Sequence, residues 1–273
     1  MKQKVAKLLK GIFAFLITFL TLFPFYWIFI SSFKTGDTIL IPDLLPKNWT
    51  LQHYRELLET TGYLASLKIS LIVAIGTMAF TLVIVVLTSY ALYRFEFKGK
   101  AFFEKLILVT YVFPGILLIV PVYNIMTEVG LVDRPMSLII MNVTFAAPFC
   151  TWLMRGFFMS IPYSLDESAA LDGAGKMQIL FQILLPILSP GLATIVIYSF
   201  ISSWTEFTFA SILVSSEQYK TLPITLRAIM GQYTVRWGQT TSGAVLTILP
   251  ILILFIFIGK YFIGGLTEGA VKE

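Results

Sequence analysis

Six stretches of this sequence are long and apolar enough to cross a bilayer, and they decide the solvent in which the chain folds. A spanning helix needs about twenty mostly apolar residues, because hydrocarbon offers no partner to a bare backbone amide or carbonyl. The stretches run from about Gly11 to Ser32, Leu67 to Tyr93, Phe102 to Met126, Met136 to Leu153, Ile187 to Val214 and Ser242 to Phe262. Of the 273 residues, 57% are hydrophobic and 13% charged, too few polar side chains to coat a water-facing domain. The pattern predicts an all-α integral membrane protein with six transmembrane helices in the cell membrane.

Lys2, Lys4, Lys7 and Lys10 precede the first stretch in the manner of a signal peptide. Its apolar core is too long, no small-residue cleavage site follows, and further spans come after, so an uncleaved anchor is expected. Placing the amino terminus in the cytoplasm and alternating sides puts those four lysines inside, with Arg94, Lys98, Lys100, Lys105, Arg155, Lys176, Lys260 and Lys272. The smaller set Lys34, Lys47, Arg55, Lys68, Arg134, Lys220, Arg227 and Arg236 falls outside. The positive-inside rule favours this orientation, with both termini cytoplasmic. A formal net charge of +5 spread around apolar segments reads as topology and not as a nucleic-acid patch.

The division that follows is an anchor with an extracytoplasmic loop over residues 1–65, a five-helix core over 66–262, and a cytoplasmic tail over 263–273. In the outer loop, Leu51, Tyr54, Leu57 and Leu58 share one face of a short amphipathic helix, with Thr50 as its starting cap. Prolines recur within the spans at 24, 114, 121, 148, 190 and 250, each removing a helix hydrogen bond. Kinked helices suit both a moving pathway and an ordinary packed bundle. His53 is the single histidine and has no Cys near it, so no metal site is expected; Cys150 lies in an apolar run and reads as a packing residue.

The longest cytoplasmic connection, about 156–186, contains the polar stretch DESAALDGAGKMQILFQILLP from Asp166 to Pro186. Ser164 and Glu167 have the spacing of a capping box. A short helix is expected to start there, to carry Leu165, Ala169 and Asp172 down one side, and to stop near Gly173. A second helix follows, with Met177, Leu180, Phe181 and Leu184 on one face. Two helices about a Gly turn, tipped with Ser168, Ala169, Ala170, Gly173, Ala174 and Gly175, make a knob that fits a partner's groove.

Glu167, Ser168 and Ala169, then three residues, Gly173, nine more, and Ile183 to Pro186 resemble the EAA signature of ABC importer permeases. Ser168 stands where that family usually has Ala. Pro24, Trp27, SSFK (31–34), NWTLQHY (48–54), SYALYRFEFKGK (89–100), Pro114, Pro121, WTEF (204–207), TLP (221–223) and GGLTEGAVK (264–272) resemble the carbohydrate-uptake branch. Within it, the smaller permease of maltose-type importers is most similar, although Thr205 replaces the usual Asn. The resemblance implies the type I importer permease fold and transport of a sugar or oligosaccharide. It also implies docking of the loop on an ATPase through Glu167, Ser168, Ala169, Asp172, Gly173, Ala174, Ile183, Leu185 and Pro186. The implied partners are a second homologous permease, usually a different chain, two ATP-binding subunits, an extracytoplasmic solute-binding protein and membrane lipid.

The run DGAGKM looks like a phosphate loop but fails as one, since Ala170 and Met177 stand where a Walker sequence needs Gly and Ser or Thr. ATP hydrolysis is therefore expected in a separate subunit, and no cofactor is expected in this chain. A membrane enzyme lacks reagents here: there is no His pair, no Cys nucleophile and no Ser with a nearby His. An ion-gradient-coupled carrier or channel is the alternative, because such proteins hold ionisable groups at mid-membrane and Glu206 falls within the fifth stretch. Glu206, Trp204, Asn142, Tyr123 and Asn124 are candidates for the substrate path; the same residue types also anchor helices and join them.

Overall fold

The computed structural model describes residues 2–231 and 235–270. Its helices are α1 (Lys2–Ser31), α2 (Gln52–Thr60), α3 (Tyr63–Arg94), α4 (Lys100–Val112), α5 (Ile119–Glu128), α6 (Pro135–Ser160), α7 (Ser164–Leu171) and α8 (Lys176–Gln178). After a π turn (Ile179–Leu184) come α9 (Leu185–Ile187), α10 (Ser189–Trp204), α11 (Ala210–Leu213), α12 (Leu222–Ile229) and α13 (Trp237–Ala270). Lys272 and the end of the tail lie outside the described residues.

Among the described residues four helices are long and apolar enough to cross a membrane: Ala6–Ser31, Tyr63–Arg94, Pro135–Ser160 and Trp237–Tyr261. Two further helix pairs are apolar enough together but sharply bent. Lys100–Val112 and Gly115–Glu128 meet at 92°, and Lys176–Ile187 and Ser189–Trp204 meet at 80°, which brings the number to six when each pair counts as one. The first break falls at Pro114, which is followed directly by a short 3₁₀ turn, Gly115–Leu118. Pro24, Pro148 and Pro250 lie inside unbroken helices, while Pro121 sits in the first turn of α5, where a missing amide costs nothing.

The fifth span corrects the sequence expectation at both ends. Its expected start at Ile187 falls at the bend between the second arm of the polar loop and α10, and α10 stops at Trp204 instead of running to Val214. At the stop the Thr205 hydroxyl donates to the carbonyl of Ile201 at 2.9 Å, and beyond it the Glu206 carboxylate accepts the amides of Phe209 and Ala210 at the start of α11.

By contact the chain divides into two compact units, Met1–Leu64 with Thr225–Leu249, and Ala65–Ile224 with Pro250–Glu273. In the first, the Lys34 ammonium is buried, lies 4.4 Å from the centre of the Trp27 ring and donates to the carbonyl of Ile41 at 2.8 Å. The His53 ring sits 3.0 Å from the Lys34 carbonyl, and Tyr63 reaches Gly243 and Thr247 of α13 with its hydroxyl. His53 thus has a structural partner, and among the described residues no group of three His, Cys, Asp or Glu converges as a metal site would require. The loop helix α2 buries Leu57 completely but leaves Leu51 and Leu58 exposed, so the buried face is narrower than its apolar pattern.

The second unit contains the polar loop and the body that holds it. Its larger core joins Val85, Val86 and Tyr90 of α3, Cys150, Met154 and Phe158 of α6, and Ala169, Ile179, Leu180, Leu184 and Leu188 of the loop and the bend. Cys150 is among them, a buried packing residue. Helices α6 and α10 approach closely at Gly191, where an added Cβ would stand 2.8 Å from Phe157 and 2.9 Å from the Met154 sulfur.

Candidate functional site: the interhelical hairpin

The polar loop folds as a helical hairpin. Its first arm, α7, starts without the capping box: Tyr163 is already helical and its carbonyl accepts the amides of Asp166 and Glu167 at 3.0 and 3.2 Å. With the Glu167 amide taken by backbone, Ser164 is the first residue of the helix instead of its cap, and its hydroxyl has no Glu167 amide to accept. The Glu167 side chain is consequently exposed, with no hydrogen bond or ion pair among the described residues.

The turn is as expected. Gly173 adopts φ 88°, its amide bonds to the carbonyl of Ala170 at 3.1 Å, and the Ala174 amide bonds to Ala169 at 3.0 Å. That pair of bonds is a Schellman closure, which requires the left-handed residue that glycine supplies. The second arm opens with Gln178, whose side-chain oxygen accepts the Gly175 amide at 2.8 Å.

The buried face of that arm differs from the periodic reading. Ile179, Leu180 and Leu184 are buried, whereas Met177 and Phe181 are 57% and 58% exposed. The π winding explains the exchange: bonds that close i to i+5 bring residues 179, 180 and 184 to one side and rotate 177 and 181 off it.

The docking candidates therefore separate. Glu167, Ser168, Asp172, Gly173 and Pro186 are exposed, whereas Ala169 is buried and Ala174, Ile183 and Leu185 pack partly against the core. Those four hold the hairpin to the body. Sequence reasoning missed Leu171, which is 89% exposed at the end of the first arm, and with Met177 and Phe181 it gives the hairpin an uncovered apolar surface. The one available signal was that Leu171 falls off the Leu165–Ala169–Asp172 side of the helix.

Sequence reasoning counted Arg94 and Lys176 as inside charges and placed Tyr90 and Arg94 in the stretch SYALYRFEFKGK, and gave none of the three a partner. Arg94 and Asp166 form an ion pair at 3.4 Å with side chains only 6% and 12% exposed. Tyr90 donates to the carbonyl of Lys176 at 2.9 Å, and the Lys176 ammonium lies 4.7 Å from the centre of the Phe95 ring.

The substrate-path candidates do not come together as one wall. Asn142 is buried and donates to the Ser203 hydroxyl at 3.0 Å, which in turn donates to Thr77 at 3.3 Å, so it joins α6, α10 and α3. Trp204 is 1% exposed and stacks on Phe200 with ring centres 5.5 Å apart. Glu206 lies beyond the end of α10, and its two oxygens accept the amides of Phe209 and Ala210 at 2.7 and 2.9 Å. That placement corrects the expectation of an acid within a span. Tyr123 and Asn124 remain on an exposed part of α5.

Residues 84–266 match the family described as the binding-protein-dependent transport system inner membrane component. The inner membrane ABC transporter permease protein YcjP of Escherichia coli is 35% identical, with 96% of this chain and 94% of that protein covered. The diacetylchitobiose uptake system permease protein DasC of Streptomyces coelicolor is 32% identical over 92% and 91%, and the trehalose/maltose transport system permease protein MalG of Thermococcus litoralis 31% over 100% and 99%. Among solved structures, a chain of a bacterial ABC transporter involved in import of the acidic polysaccharide alginate superposes with a TM-score of 0.82 at 24% identity, covering 96% of this chain and 98% of that one.

Proposed function

This chain belongs to the family of inner membrane components of binding-protein-dependent transport systems, and we propose that it is the permease subunit of an ATP-driven importer whose cargo is a sugar or oligosaccharide. The cargo class rests on the relatives that are permeases for diacetylchitobiose and for trehalose and maltose. In this reading the chain pairs with a second, homologous permease to enclose the path. Two separate ATPase subunits dock from the cytoplasm and a solute-binding protein delivers cargo from outside, with both termini of this chain cytoplasmic.

The observation that carries the coupling role is the exposed end of the hairpin. Leu171 at 89% exposure, a Glu167 carboxylate unpaired among the described residues and the bare Gly173 turn form an apolar and acidic tip on a base that is packed into the core. Leu171, Met177 and Phe181 leave an uncovered apolar surface on a polar hairpin, and apolar patches rimmed by polar residues mark interaction sites. Closure of the ATPase dimer on ATP would move this tip, and the difference between its contacts in the two ATPase states supplies the free energy for alternating access. The carrier alternative loses its motivating residue, because Glu206 serves as a backbone cap outside the helix.

Uptake of radiolabelled maltose or trehalose into proteoliposomes containing the whole complex tests the reading. Accumulation should require ATP on the hairpin side and the ATPase, and should persist when ionophores collapse ion gradients. Uptake driven by a gradient in vesicles lacking the ATPase would overturn it.

A further inference from the structure

Besides the apolar packing of Ile179, Leu180, Leu184 and Leu188 against α3 and α6, the hairpin is joined to the body in two mechanically different ways. Covalently its second arm continues into α10, but that route passes through a π turn and an 80° bend. Such turns interrupt the i to i−4 bonding that stiffens a helix, and π turns recur at functional sites. The other route is through the last turns of α3, and it is made of side chains. Arg94, the final residue of α3, donates to the Ile161 carbonyl at the end of α6 at 3.2 Å and faces Asp166 of α7 at 3.4 Å. Its guanidinium centre also lies 5.9 Å from the ring centres of Phe158 and Tyr163. One turn earlier, Tyr90 holds the second arm through the carbonyl of Lys176. Both arms are thus tied to α3, each by a polar contact.

The ion pair is unlike the other four found among the described residues, which join residues three or four apart and keep at least one partner largely in solvent. It links residues 72 positions apart (166 − 94) in a buried setting. It is also incompletely satisfied, since Arg94 Nε and Asp166 Oδ2 are buried without a hydrogen bond among the described residues. A buried pair of that quality adds little to folding compared with apolar side chains of the same size. Separating its charges in a low-dielectric interior is nevertheless costly, so the pair resists displacement of α7 from α3.

We propose that Arg94 is a positioning residue for transport: through Asp166 it transmits the displacement of the hairpin to α3, while the bend before α10 lets the second arm yield. The inference rests on the importer reading above. The test uses the complete complex in proteoliposomes and measures sugar uptake and phosphate release on the same sample, giving transport per ATP.

Asp166→Asn is isosteric and removes only the charge, while Arg94→Met with Asp166→Leu replaces the pair by apolar side chains that refill the site. Both are expected to assemble with the ATPase and hydrolyse ATP, with transport per ATP reduced roughly fivefold or more, the size of an ordinary allosteric coupling. Arg94→Lys, which retains a cation without the planar fork, should fall between wild type and these variants. Wild-type transport per ATP in either neutral variant overturns the proposal, as does equal loss of assembly and transport in all three, which marks a purely structural pair. Failure of wild type to show ATP-dependent uptake overturns the importer reading instead.

Discussion

Asp133 closes on Ser216 across two loops: one carboxylate oxygen accepts the amides of Ser215 and Ser216 at 3.1 and 3.0 Å, and the other accepts the Ser216 hydroxyl. The Asp133 amide adds a bond to Leu213 at 2.7 Å, and its φ of 61° turns the chain so that all of these are met. The Ser216 hydroxyl foremost, then its amide and that of Ser215, hold the carboxyl below the usual Asp range. A depressed acid contributes stability that is present above its unfolded pKa of about 3.9 and is lost as pH falls through the folded value. Amide-exchange protection factors at Ser215 and Ser216 should therefore hold from neutral pH to near that unfolded value and collapse only in stronger acid. In Asp133→Ala they should be low at every pH; unchanged protection there removes the clasp from the account.

The buried relay from Asn142 through Ser203 to Thr77 predicts a stability effect without a change of cargo preference. Asn142→Ala removes a donor to a buried hydroxyl, and interhelical hydrogen bonds in membranes average about 0.6 kcal/mol, rising toward 2 in the tightest cases. Thermal unfolding of the purified permease should shift down by a few degrees, while the ratio of uptake for two competing sugars stays constant. A changed ratio would return Asn142 to the path.

The same residues show what sequence can and cannot disclose. The spans were legible because twenty apolar residues in a row have one physical use, and the Gly173 turn because few residues other than glycine close a helix at positive φ. The capping box was misread because Ser164 and Glu167 have the right spacing whether or not a neighbouring carbonyl, here that of Tyr163, reaches the amide first. The inward face of the second arm was misread because Met177, Leu180, Phe181 and Leu184 fit a 3.6-residue period, and nothing local announces a π turn. Glu206 was placed inside a span because an apolar run continues past it, whereas α10 stops at Trp204 and the Glu206 carboxylate caps the start of α11. Arg94 counted as one more inside cation, since only the fold brings Asp166, 72 positions later (166 − 94), against it.

Gly191 sets how near α10 comes to α6, and its substitution should be felt immediately. A Cβ there meets the Cγ of Phe157 at 2.8 Å, the root of a ring and not the end of a flexible chain, so the ring itself must move. Overpacking of this kind costs about 1–3 kcal/mol. Gly191→Ala should lower the unfolding temperature of the detergent-solubilised protein, and the double variant Gly191→Ala with Phe157→Leu should recover part of the loss. By contrast Gly259→Ala, where an added Cβ meets nothing within 4 Å, should be neutral.

Gly173 offers the sharpest test of the hairpin because space and conformation are separable there. An added Cβ would touch nothing within 4 Å, yet φ is 88°, a region that costs a residue with a side chain roughly 1–2 kcal/mol. The penalty is larger for a β-branched residue and smaller for Asn, which tolerates left-handed backbone. Gly173→Val should thus insert and assemble normally but reshape the tip, releasing phosphate at near wild-type rate while uptake falls. Gly173→Asn should keep most of the uptake despite carrying a side chain of similar bulk at the same exposed position. If Asn and Val impair uptake equally, bulk at the interface is responsible and not the turn; if neither does, the tip is not where the ATPase takes hold.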